Sequence, residues 1–208
     1  MKKLNTTSDL KKYLNFGNLT TPFLENGVVF NKVNIDYTTK TKQGKKITIL
    51  DSLISWIKYN VKLEKNNKEF INANKFQRTA KEIWDSKIAT GCTDYAILFC
   101  VFARQLGYPC TFLHTAQYEW LQKLKNEEYI NVHCGHSFCE CYYNNEWILI
   151  DPTCREITHK YNPSKLELNY TVGESSIFIP YMRNLDLGKK QTQKEHNDQM
   201  DEICKKIL

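Results

Sequence analysis

Nowhere in this chain do 18 apolar residues run together, so no segment has the length of an apolar membrane-spanning helix. The N-terminus, MKKLNTTSDLKKYLNFGN, starts basic but lacks the apolar stretch of a secretory signal. There is no internal repeat, no block of like charge and no stripe of interleaved aromatic and basic residues. The net charge of +6 is carried by lysines scattered among acids, as in KLEKNNKEF and QKLKNEEY. That pattern reads as a solvated face, so neither a nucleic-acid nor a membrane partner is expected. No Cys-x-x-Cys pair occurs, which weakens the case for a structural zinc.

What is present is ordinary globular material. The 208 residues are 41% apolar and 25% charged, enough for one domain with a core of its own, residues 1–208. Eight cysteines in a chain of this length read as free thiols rather than a secreted disulfide framework, and a cytoplasmic protein is expected.

Periodicity divides the chain into helices, then strands, then a helix. SDLKKYL reads as a short helix capped by Ser8, Val28–Tyr37 as a strand, and KTKQGKK as a loop. From Thr48 the apolar residues Ile49, Leu50, Leu53, Ile54, Ile57 and Val61 follow helical spacing. Thr48 and Asp51 form a capping-box pattern with the shorter acid, and EKNNKEFINAN ends the helix. A second helix is predicted over Lys75–Ser86, with KIATG as the turn after it. A third runs from Cys92 to about Leu106, apolar nearly all round and therefore deeply buried, with Gly107 at its C′ position and Pro109 beyond. CTFLHTA reads as a strand, YEWLQKLKNEE as a short helix or surface loop, and YTVGESSIFIPY as one strand. HNDQMDEICKKIL reads as a final helix. The order predicts an α+β fold with an antiparallel sheet.

GHSFCECYY and EWILID flank Asn144-Asn145, a two-residue hairpin signal. That turn pairs Tyr143 with Glu146 and, counting back, Cys139 with Ile150 and Phe138 with Asp151. One face then carries Ser137, Cys139, Cys141, Ile148 and Ile150. The other carries His136, Phe138, Glu140, Leu149 and Asp151. His136 and Asp151 are diagonal neighbours, roughly 7 Å apart at Cβ, which lets a ring N–H reach a carboxylate.

A cysteine at a helix start together with a His–Asp pair is what thiol nucleophilic catalysis requires. The helix N-terminus favours the thiolate, the imidazole takes its proton, and the carboxylate fixes the ring. The Cys92 N–H is a candidate oxyanion donor. No metal or cofactor is needed for such chemistry.

These residues also resemble a known family. Gly91-Cys92, Ala96, Arg104-Gln-Leu-Gly107-Tyr-Pro109, His136-Ser-Phe138-Cys-Glu140, and Trp147 through Asp151-Pro152-Thr153 look like the transglutaminase-like superfamily. The resemblance is tightest over residues 90–155. It implies a papain-like core, with N-terminal helices and the cysteine helix packed on an antiparallel sheet. It implies Cys92 as nucleophile, His136 as general base and acid, and Asp151 as orienter. The chain departs from the family at Thr93-Asp94, where many members carry an aromatic. It also lacks a clear upstream Trp or Gln oxyanion donor; Trp84 and Gln77 are the candidates.

The expected reaction is acyl transfer from an amide of a protein or peptide substrate through a thioester, with hydrolysis favoured over transamidation. The alternative is a non-catalytic peptide-binding module on the same fold. HCGHSFCEC raises zinc, but Cys139 and Cys141 fall on the face opposite His136 and read as small core residues, as do Cys100 and Cys110. Glu140 is expected in a structural hydrogen bond or ion pair, not in catalysis. Trp120 is assigned equally to core or groove rim, and the role of Cys154 stays open.

Overall fold

Capping chemistry sets where most of the helices begin. The computed structural model describes residues 7–33, 48–128, 133–159, 161–165, 167–172 and 175–207. A 3-10 helix, Thr7–Leu14, opens the described chain. It is followed by α1 (Asn26–Val33), which stands where the sequence reading predicted a strand. The physical reason is the spacing of Val29 and Val33. Four apart, both are buried on one helix face, while Val28 and Phe30, on either side of Val29, face out. Residues 34–37 of that predicted strand, and the predicted KTKQGKK loop, lie outside the described residues.

Helix α2 (Ile49–Asn60) starts at the predicted capping box. Thr48 accepts from the Asp51 N–H, and Asp51 accepts from the Thr48 N–H at 2.9 Å. It stops at Asn60, earlier than predicted, because the chain turns extended at Val61 to form β1 (Lys62–Leu63). EKNNKEFINAN is therefore not its tail. It holds a separate helix, α3 (Lys68–Asn74), capped by the Asn67 side chain. Helix α4 (Ala80–Ser86) is shorter than the predicted Lys75–Ser86. Phe76 sits at φ 63°, incompatible with a right-handed helix, and the true start is a Thr79–Glu82 capping box. KIATG contains β2 (Ile88–Ala89), which pairs in parallel with β1.

Helix α5 (Cys92–Gln105) is buried at every position from Thr93 to Gln105. Gly107, at φ 86°, closes it in a Schellman motif: its N–H bonds the Arg104 carbonyl and the Tyr108 N–H bonds that of Ala103. Then come β3 (Cys110–Gln117), α6 (Tyr118–Lys125), β4 (Gly135–Tyr143) and β5 (Glu146–Asp151). The β4–β5 hairpin has the register derived from its turn, from Tyr143 opposite Glu146 to Cys139 opposite Ile150. Asn144 and Asn145 both take positive φ, 49° and 65°, as a type I′ turn requires. A short β6 (Glu156–Thr158) was not foreseen. The predicted single strand near the C-terminus is two, β7 (Leu168–Val172) and β8 (Ser175–Asn184). The final helix is α7 (Gln193–Lys205).

Strands β3 to β8 form one sheet, paired antiparallel in the order β6-β5-β4-β3-β8-β7. Cys139, Cys141, Ile148 and Ile150 share one buried cluster with Ala96, Phe99, Cys100 and Ala103 of α5. On the opposite face Phe138 and Leu149 join a second cluster with Leu113, Leu168, Tyr170 and Phe178. Burial of each such Phe or Leu contributes roughly 1.5–3 kcal/mol. The cysteine helix thus lies on an antiparallel sheet in a papain-like α+β arrangement.

Candidate active site

Cys92 is the first residue of α5 and is half-buried. Its N-cap, Gly91, provides no side chain to the free N–H groups of the first turn, so those donors stay available to an anion. The acid in that turn, Asp94, is turned away from this role. Its Oδ2 accepts from the Thr90 N–H (2.7 Å), the Thr90 hydroxyl (2.8 Å) and the buried Arg78 guanidinium. This buried pair anchors the loop that delivers Cys92 and offsets a negative charge near the thiol.

His136 is the second residue of β4 and Asp151 the last of β5, so the hairpin register sets their approach. His136 Nε2 lies 2.9 Å from Asp151 Oδ2, and the two residues are 5% and 1% exposed. The other carboxylate oxygen, Oδ1, accepts from the N–H groups of Thr153 (2.8 Å) and Cys154 (3.0 Å). With Nε2 engaged, Nδ1 is the ring nitrogen left for the Cys92 thiol, with which His136 shares a hydrogen bond. Phe138 packs edge-on against the ring at 4.7 Å, and the Thr115 hydroxyl donates to the His136 carbonyl at 3.0 Å.

The electrostatics follow from this geometry. Burial by itself pushes the Cys92 thiol up, but the His136 charge and hydrogen bond, with hydrogen bonds from Ser137, bring it down to about 7. Burial pushes His136 down, and the Cys92 charge and the Asp151 hydrogen bond outweigh it, raising the ring to about 10. Burial likewise opposes ionisation of Asp151, and the His136 hydrogen bond and charge leave its carboxyl below the ordinary range. Both shifts favour a thiolate beside an imidazolium over the neutral pair.

Ser137 was read from sequence only as the polar end of an apolar face. Its N–H and hydroxyl both donate toward Cys92, and the hydroxyl lies 3.0 Å from that of Thr93. The available signal was a lone hydroxyl closing an otherwise apolar stripe, one residue after the histidine. Lys58 was missed as well. It reaches from α2 to the Thr153 carbonyl and pins the turn that carries Asp151.

The other candidates sort clearly. Trp84 is buried against Phe23, Trp56 and Phe102, and neither it nor Gln77 lines the cavity beside Cys92. Trp120 is buried, its ring 5.4 Å from His133. Glu140 is in the expected ion pair, with Arg183, and also accepts from Tyr161 (2.6 Å) and Thr111 (2.8 Å). Cys154 is an exposed residue whose thiol is only partly shielded; that partial desolvation and the Asp151 charge push it up to about 11. Among the described residues, the one cluster of three metal-ligating side chains is Cys100, Cys110 and Cys139, with sulfurs within 4.8 Å in the apolar core. Burial holds the Cys100 and Cys139 thiols well above their ordinary value, so they sit there as neutral packing groups. Among the described residues no helix is long and apolar enough to cross a membrane.

Residues 33–152 match the model of the transglutaminase-like superfamily. No curated protein matches the chain. Among solved structures, a proposed cysteine protease from Cytophaga hutchinsonii is similar in fold, with a TM-score of 0.56 at 13% sequence identity. The alignment covers 91% of this chain and 51% of that one, so this chain spans about half the length of its structural neighbour.

Proposed function

The chain belongs to the transglutaminase-like superfamily, and from that premise we propose that it catalyses cysteine-dependent acyl transfer at an amide bond. Cys92 is the nucleophile, His136 the general base and acid, and Asp151 the residue that fixes the ring. The observation that carries this reading is the arrangement of the three. A half-buried thiol at an uncapped helix start shares a hydrogen bond with an imidazole whose far nitrogen is 2.9 Å from a buried carboxylate.

In the first step the Cys92 thiolate attacks the carbonyl carbon, and the carbonyl electron pair moves to oxygen. The N–H groups of the first α5 turn meet that oxyanion. The tetrahedral species collapses by breaking the C–N bond, and His136 gives its proton to the departing amine. The thioester is then attacked by water, whose proton His136 accepts, releasing the carboxylic acid and regenerating the thiolate. An amine in place of water gives transamidation. Hydrolysis is favoured because the thiol is half-buried rather than sealed and a cavity opens beside it. The substrate class is a protein or peptide, and eight free thiols fit a reducing compartment such as the cytoplasm.

Alkylation tests the proposal. Iodoacetamide at neutral pH is expected to modify Cys92 far faster than the other seven cysteines, as read by mass spectrometry of tryptic peptides. Equal, slow modification of all eight favours a peptide-binding module instead. Cys92→Ala is expected to fold normally and lose amide hydrolysis and transamidation together.

A further inference from the structure

A cavity of about 140 Å³ opens beside Cys92, and its walls contain that residue but neither His136 nor Asp151. This asymmetry gives the cavity a side in the proposed reaction, on which the inference rests. The departing amine must take its proton from His136, so it leaves on the imidazole flank. The acyl portion stays bound to the sulfur, beside which the cavity opens, so the cavity is open to the side chain that the acyl group carries.

The lining has a definite chemistry. Lys75 is half-buried at the wall, with its ammonium 5.1 Å from the Phe76 ring centroid. His196 Nδ1 bonds Gln191 Oε1 at 3.1 Å, a carbonyl that only accepts, so Nδ1 carries the hydrogen and donates. Burial and the Lys75 charge hold that ring neutral near pH 7. His114, 4% exposed, sits at the β-bulge between β3 and β8, and its Nδ1 has no partner among the described residues. Its ring lies between those of Tyr181 and His196, at 5.3 and 4.8 Å. Burial keeps it neutral too. His133 is already paired with Asp201 at 2.8 Å. No carboxylate among the described residues lines the cavity. Its charge at neutral pH is therefore set by Lys75.

We propose that this cavity is an acyl-side subsite that selects a carboxylate-bearing side chain, of aspartate or glutamate size, next to the scissile carbonyl. The volume, about four or five waters' worth, fits such a group. Lys75 supplies the opposite charge, and Thr90, Thr93 and Asn197 in the lining supply polar side chains.

Peptidyl acyloxymethyl ketones test this directly. The thiolate displaces the acyloxy group as a carboxylate anion and forms a thioether, so the rate of Cys92 labelling reads how well the adjacent side chain is seated. Three probes carry Asp, Asn or Leu at the ketone-bearing residue. The Asp probe is expected to label about tenfold faster than the isosteric Asn probe, the effect of one partly screened ion pair. The Asp/Asn ratio should fall to about one in Lys75→Gln, persist in Lys75→Arg and shrink with added salt. Equal or reversed rates in the native protein overturn the subsite, as does a ratio that Lys75→Gln leaves unchanged. If iodoacetamide also fails to single out Cys92, the acyl-transfer reading falls with it. If iodoacetamide singles out Cys92 and the acid preference is missing, only the subsite falls.

Discussion

Asp151 divides its two carboxylate oxygens between two tasks: Oδ2 holds His136 Nε2 at 2.9 Å, and Oδ1 gathers the N–H groups of Thr153 and Cys154. The acid is therefore fixed by its own turn before it fixes the imidazole. Asp151→Asn keeps the turn contacts but loses the charge that helps hold His136 protonated. Amide turnover is expected to fall by about 10²–10⁴-fold with little change in the unfolding midpoint. Steady-state kinetics beside thermal denaturation check this.

The alkylation rate of Cys92 should track its thiolate. With the thiol brought to about 7, the rate is expected to rise through neutral pH and level off well below the ordinary 9.0. The sign is set by His136, whose charge favours the thiolate against burial. In His136→Ala burial is left with less opposition, so the inflection is expected to move upward. A pH series of iodoacetamide rates on both proteins measures the shift.

Ser137→Ala removes one hydroxyl donor from the sulfur and keeps the backbone N–H. The thiolate becomes harder to form, and labelling at pH 7 is expected to slow by about tenfold, in line with one hydrogen bond to a charged group. The Ser137 side chain is small and the fold should persist, as circular dichroism would show.

The Arg78–Asp94 pair is buried on both sides. Asp94→Ala strands the guanidinium and frees the Thr90 loop, at an expected cost of about 3–5 kcal/mol in denaturant unfolding. The double variant Arg78→Met/Asp94→Ala removes both charges and should recover part of that loss. A double variant no more stable than the single one would mean that the loop anchorage, rather than the stranded charge, accounts for the loss.

Several elements were legible because their determinants are local. Asn144-Asn145 fixes a turn, the turn fixes a register, and the register alternates side chains, so His136 and Asp151 could be paired on paper. Thr48–Asp51 and Gly107 mark helix ends for equally local reasons. Other elements were misread where local signals compete. Val28-Val29-Phe30 looks strand-forming, and only the packing of Val29 and Val33 against the core settles it as a helix. At Phe76 a left-handed backbone removes the first turn of the predicted Lys75–Ser86 helix.

By itself the sequence determined the cysteine at a helix start, the histidine and aspartate on paired strands, and the α+β order of elements, since each depends on neighbours within a turn or a hairpin. Only the tertiary structure decided that α5 meets β4 so that the imidazole acts on the thiol, that Ser137 and Lys58 stand beside the pair and its turn, and that α7 lines a cavity beside the sulfur. Those contacts join residues tens to more than a hundred positions apart. Their geometry is set by how helix and sheet pack, which no local spacing encodes.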